Sequence, residues 1–141
     1  MVQGQRDNPD GRERLVRTAF VLFAEKGFDS VTVRDIAAAS SVSVGLINHH
    51  FGSKDGLREA VDEFFIAQFE DAITGAATQE LSTTLDPAEV IDAWIERHAD
   101  DWPTIVAYFR RALLEESDWG FSLFQRFYGF VQATVMRMDA A

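Results

Sequence analysis

Few residues in this chain are of a type that does chemistry, and most of them stand close together. Asn48, His49 and His50 fall in the stretch Thr32–Phe51, TVRDIAAASSVSVGLINHHF, with Lys54 just beyond it. Two neighbouring histidines invite a metal, but successive helical residues point about 100° apart, so such a pair rarely shares one ion. His98 lies among Glu96, Asp100 and Asp101. A lone histidine among local carboxylates reads as a solvated helix end sooner than as a ligand set or an acid–base pair. The chain has no cysteine, which removes disulfides, thiolate zinc sites, iron–sulfur clusters and cysteine nucleophiles together. No glycine-rich phosphate loop, His-Glu-x-x-His pair or Gly-x-Ser-x-Gly elbow occurs. We expect no catalytic residue, no metal and no cofactor.

The chemistry left to the cluster is recognition of double-stranded DNA. On a helix over about Val44 to His50, the side chains of Val44, Leu46, Asn48 and His49 point outward, an unusual display for a solvated face. Apolar groups there can touch thymine methyls, an asparagine can pair with adenine through two hydrogen bonds, and helix N-termini favour phosphate. Arg34 and Lys54 lie just outside the helix as cationic partners for the backbone. His50 reads as a phosphate contact and His49 as a groove-facing side chain; a solvated histidine pair is the alternative. The expected DNA-contacting set is Thr32, Val33, Arg34, Ser43, Val44, Gly45, Leu46, Asn48, His49, His50 and Lys54.

Positioning these groups takes a short helix, a tight turn of about three residues and a second helix held across it. A first helix is expected from about Gly11 to Lys26, its apolar pairs Leu15/Val16, Ala19/Phe20 and Leu22/Phe23 forming one stripe. Gly27 supplies its left-handed cap, and Phe28 folds back on the last turn. Thr32 and Asp35 form a near capping box for a second helix over about Val33 to Ala39, with Val33, Ile36 and Ala37 inward. Ser40-Ser41-Val42 makes the turn, Ser43 caps the third helix, and Ile36, Ala37, Val42, Ile47 and Phe51 supply the inward contacts. A fourth helix starts at Ser53 and runs through Leu57, Ala60, Val61, Phe64, Phe65 and Phe69. Thr74 to Leu85 is small and polar and reads as a loop. Asp86-Pro87-Ala88-Glu89 is a strong helix start. Pro103 opens another helix, and a last one covers about Asp118 to Met138. No segment alternates with period two. The fold class is all-α: a three-helix helix-turn-helix head at 11–58 and a helical regulatory or dimerisation body at 59–141, about seven helices in all.

The run RERLVRTAFVLFAEKGFDSVTVRDIAAASSVSVGLINHHFGSKDGLREAV resembles the N-terminal domain of the tetracycline-repressor-like (TetR) regulators. The likeness rests on Phe23-Ala24-Glu25-Lys26-Gly27-Phe28, Thr32-Val33-Arg34-Asp35-Ile36-Ala37, Val42-Ser43 and His50-Phe51-x-Ser53-Lys54-Asp55-x-Leu57. It implies a two-fold dimer, half-sites about one helical turn apart, and repression released by a small-molecule effector. Two positions depart from the pattern: Asn48 stands where the family usually has Tyr, and Ser41 where the turn usually has Gly. Ser41 must then take a backbone conformation uncommon outside glycine. The family's body also continues for roughly two helices beyond the one ending near Met138, helices that usually form the dimer's bundle. The last helix here is apolar well beyond one face, and we expect it to carry self-association, with Phe127 and Phe130 as the test positions.

The formal charge of −10 seems to oppose DNA binding until the chain is divided. Residues 1–58 carry eight Lys/Arg against seven Asp/Glu, a net +1, while residues 59–141 carry five against sixteen, a net −11. A nucleic-acid-binding head on an acidic body produces this asymmetry, and so does an acidic globule with a locally neutral start. The body's aromatic residues at helical spacing are chiefly core. The resemblance places an effector pocket among Trp94, Trp102, Phe109, Arg110 and Phe124. With no signal-peptide core and no run of 18 apolar residues, the chain reads as cytoplasmic, with no membrane partner. The competing reading is a helical interaction module that keeps the helix-turn-helix but binds protein. An enzyme has little to stand on.

Overall fold

Helix formation follows the apolar pairs and their caps. The computed structural model describes residues 9–78, 92, 94–115 and 117–139, with side chains from Gly11 to Glu70 and, in the later segments, at all but residue 138. Helix α1 spans Pro9–Lys26, α2 Val33–Ser40, α3 Val44–Phe51 and α4 Lys54–Thr78. A fifth helix, α5, is described at residues 92 and 94–97, followed by α6 over Trp102–Leu114 and α7 over Asp118–Asp139. There is no strand among the described residues. The architecture is all-α, as the periodicities require.

The chain forms two compact units, Met1–Phe64 and Phe65–Ala141, with the boundary inside α4. In the first unit α1 packs on α2 and α2 on α3. Leu15, Ala19, Ile36, Ile47, Leu57 and Val61 are wholly enclosed, so all four helices contribute to one core. Each of the larger aliphatic side chains among them, Leu15, Ile36, Ile47, Leu57 and Val61, contributes about 1.5–3 kcal/mol through removal from water. Val33 stays half-buried, because it sits in the first turn of α2, at the rim of that core. Gly27 takes φ 85° and its N–H donates to the Phe23 carbonyl at 2.9 Å, closing α1 as expected. Phe28 then turns back to pack its ring 5.2 Å from that of Phe23.

In the second unit the core is aromatic. Tyr108 and Phe65 are fully buried, and Trp94, Ile105, Ala112 and Leu123 nearly so. The Phe65 ring meets Tyr108 at 5.4 Å and stacks on Phe109 at 5.8 Å. Pro103 stands in the first turn of α6, where its missing N–H costs nothing. Helix α6 ends where α7 comes closest: a Cβ on Gly120 would overlap the carbonyl oxygen of Ala112, so only glycine admits this approach.

One expected boundary moves. The loop expected over Thr74–Leu85 begins later, since α4 continues through Thr78. Ala76 and Ala77 are strong helix formers, and Gly75 alone costs about 1 kcal/mol, too little to stop a helix already packed upstream. Residues 79–85 and the helix start at Asp86-Pro87 lie outside the described residues.

Candidate nucleic-acid interface

The interface is built on two caps and one strained turn. The Thr32 hydroxyl accepts from the Asp35 N–H at 3.1 Å, and the Asp35 carboxylate accepts from the Thr32 N–H at 2.9 Å, so the capping box is complete. The Thr32 backbone N–H first, and then the Thr32 side chain, hold the Asp35 carboxyl below its ordinary value of 3.8. At the other end of α2, Ser41 adopts φ 58°, ψ 39°, and its N–H reaches back to the carbonyls of Ala37 and Ala38. This is the left-handed conformation that the turn demands of a non-glycine residue. Val42 donates to Ala37 at 3.0 Å, and Ser43 then caps α3 by accepting from the Leu46 N–H at 3.3 Å.

With Ile47 locked in the core, the helical period decides what α3 presents. Val44, Gly45, Asn48 and His49 are exposed, and Leu46 is half-buried. Thr32, Arg34 and Ser43 are exposed as well, so the N-termini of α2 and α3 are open to an anion. The structure thus presents most of the expected set to solvent on one helix-turn-helix. Two members differ. The Nε2 atom of His50 is enclosed and has no hydrogen-bond partner, which leaves only the other edge of the ring for a phosphate. Lys54 is half-buried: its ammonium donates to the Phe28 carbonyl and lies 4.1 Å from the centre of the Phe28 ring. One of its three donors is therefore engaged within the protein.

Arg12 was not among the expected residues. Its guanidinium lies over the Phe51 ring, 5.1 Å from the centroid, at the C-terminal end of α3. It is exposed, and so adds a cation beside the histidines. No spacing rule links positions 12 and 51; only the fold brings them together.

In the second unit, most of the aromatic residues expected to form an effector pocket pack against one another and against neighbouring rings. Trp94 meets Trp102 edge to face at 5.5 Å, and its indole N–H donates to the Gln68 carbonyl at 2.8 Å. Phe109 packs between Phe65 and Phe127. Arg110 and Phe124 are exposed. Phe124 lines an open groove of about 400 Å³ with Leu113, Glu115, Asp118 and Phe121, apart from the other four. His98 stacks on Trp94 at 4.8 Å, with Nδ1 3.0 Å from the Trp94 carbonyl oxygen. Among the described residues no group of His, Asp and Glu could hold a metal, and no helix is long and apolar enough to cross a membrane.

A capped α2, a three-residue turn and an α3 that shows its outer face while Ile47 anchors its inner one define a helix-turn-helix DNA-binding domain. Residues 15–61 match the family model described as bacterial regulatory proteins, tetR family. The head of the chain is similar over these residues to the DNA-binding domain of the TetR family. Among curated relatives, the HTH-type transcriptional repressor Rv3405c of Mycobacterium tuberculosis is 36% identical over 98 residues, covering 67% of this chain and 47% of the relative. The HTH-type transcriptional regulatory protein RaaS of the same organism is 30% identical over 115 residues, covering 80% of this chain and 50% of the relative. A transcriptional regulator of the "TerR/AcrR family" from Aquifex aeolicus matches with TM-score 0.66 at 20% identity, over 90% of this chain and 68% of that one, a likeness of fold. This chain spans about half the length of the curated relatives it matches.

Proposed function

We propose that this chain is a sequence-specific DNA-binding transcription regulator, acting in the cytoplasm as a two-fold homodimer and repressing until a small-molecule effector releases it. The observation that carries the reading is the exposed face of α3, Val44, Gly45, Asn48 and His49, held between two capped helix starts. The head at 11–58 supplies base contacts through Val44, Asn48 and His49, and backbone contacts through Thr32, Arg34, Ser43 and Lys54, with Arg12 as an added cation. The acidic body at 59–141 serves regulation and pairing. The relatives' names, repressor and regulatory protein, support the direction of control. For the effector, the support is the aromatic cluster around Trp94, Trp102 and Phe109, which suits an apolar or aromatic compound.

The deciding experiment is footprinting of the full chain on the promoter region beside its own gene, repeated across salt concentrations. Protection of a two-fold site is expected, with log affinity falling against log salt by about 0.9 for each phosphate contact. Absence of protection on any operator-like DNA, or a flat salt response, overturns the proposal.

A further inference from the structure

Gly45 is a helical glycine for which the chain itself supplies no reason. Glycine is a poor helix former, because its backbone gives up the most freedom on folding. It is kept where φ is positive, as at Gly27, or where a side chain would collide, as at Gly120 against the Ala112 carbonyl. Gly45 meets neither condition. Its φ is not positive, and a Cβ there would find only the Ser43 Oγ, at 3.8 Å, an ordinary contact. Gly11 and Gly129 are equally unconstrained, but of the three only Gly45 stands on α3. Its place on that helix gives it a reason from outside the chain. With about 100° per residue, Gly45 and His49 fall within about 20° of the line directly opposite Ile47, the anchor buried in the core. Both are exposed. A major groove that receives α3 therefore comes nearest to its backbone at Gly45.

We propose that the bare backbone at Gly45 is a recess for the 5-methyl group of a thymine, so that α3 selects a T·A pair at its point of closest approach. This rests on the DNA-binding reading and names part of the sequence that is read. Size favours the match. The recess is the space of one missing methyl group, and the thymine methyl is the apolar group that a base pair projects into the major groove. The surroundings favour it too. Val44, exposed, and Leu46, half-buried, flank the recess in the chain, and both are apolar. Helix α3, VGLINHHF, contains no Arg, Lys, Asp or Glu. Arg and Lys are the commonest readers of guanine, and Asp and Glu accept from cytosine, so the helix lacks the usual means of choosing a G·C pair. What it offers instead is apolar contact for thymine and the Asn48 amide for adenine. A phosphate is the other group that a helix start can hold, and the test below separates the two.

The test uses the full chain and a duplex selected from randomised DNA by the wild-type protein. Each thymine of the selected site is replaced in turn by uracil, which differs only in lacking the methyl group. At one position this should weaken wild-type binding about fourfold, the worth of one methyl group removed from water. Gly45→Ala puts the protein's own methyl group into the recess. Its binding to the thymine duplex should fall about tenfold, and at that one position uracil should now bind better than thymine. Its melting temperature should not fall, because alanine favours the helix, so the loss of binding is not a loss of fold. A wild type that selects no sequence overturns the DNA-binding reading and the recess with it. Three results overturn the recess alone and leave DNA binding standing. One is a selected site in which no thymine methyl matters. Another is a Gly45→Ala variant weakened equally on every duplex, as a phosphate at the helix start would make it. The third is a Gly45→Ala variant that binds as the wild type does.

Discussion

Asp35 shows how one residue ties sequence to stability. Because its folded pKa is lowered, its contribution is fully present above the unfolded value of 3.8 and is lost as pH falls through the lower folded value. The melting-temperature difference between wild type and Asp35→Asn should therefore be constant near neutrality and close up below pH 3.8. Thr32→Ala removes the other half of the box and should cost about 1 kcal/mol in urea denaturation. These two residues were legible in the sequence because a capping box is local and spans only four positions. Lys54 was less so. Its place after Ser53 suggested a free cation, but the ammonium is shared with the Phe28 carbonyl, 26 residues away. Lys54→Ala should accordingly lower stability as well as DNA affinity, with the affinity loss equal on all sequences. Asn48→Ala should leave stability alone and change which bases are tolerated, by ~1–3 kcal/mol at one position of the site. A selection from randomised DNA that returns the same preference for both proteins would show that the reading face lies elsewhere.

Among the elements, the turn between α2 and α3 is the one under strain. Ser41 holds a left-handed backbone at φ 58° without glycine's freedom. Ser41→Gly should relieve that strain and raise stability by roughly 0.5–1 kcal/mol after the extra freedom of the unfolded glycine is counted, read as a shift in the urea midpoint at unchanged slope. The turn, the caps and the helix period were all written in neighbouring residues, which is why the head could be read so closely. The body was harder. Its helices could be placed from Pro103 and from the aromatic spacing, but which stripe of α7 faces inward depends on where α6 ends. Single-helix periodicity cannot decide between Phe127, in line with Leu123 and Phe130, and Phe124, in line with Phe121 and Tyr128, when both belong to regular stripes. The structure turns the first line inward, with the Phe127 and Phe130 that were expected to carry association. The extension of α4 through Thr78 escaped for a related reason: small polar residues describe a loop only until a packed helix upstream carries them along.

For the molecule as a whole, the division of charge governs how it meets DNA. A head of +1 must hold a polyanion while attached to a body of −11, so non-specific binding gains little from long-range attraction. On the proposed reading, local contacts by Arg12, Arg34 and Lys54 carry the backbone interaction instead. Removing Arg12 should reduce the slope of log affinity against log salt by about 0.9 if it meets one phosphate. The same view of the whole exposes a cost in α7. Two stripes a single residue apart give the helix two nearly equivalent ways to lie on its neighbours, related by a turn about its own axis. The choice is settled at one end, where the Ala112 carbonyl fills the space a side chain at position 120 would need. Gly120 thus acts as the notch in a key. Blunting it with Gly120→Ala should leave the helix intact but its facing undecided, so that far-ultraviolet dichroism persists while the near-ultraviolet band of Trp119, now packed 5.7 Å from Tyr108, fades.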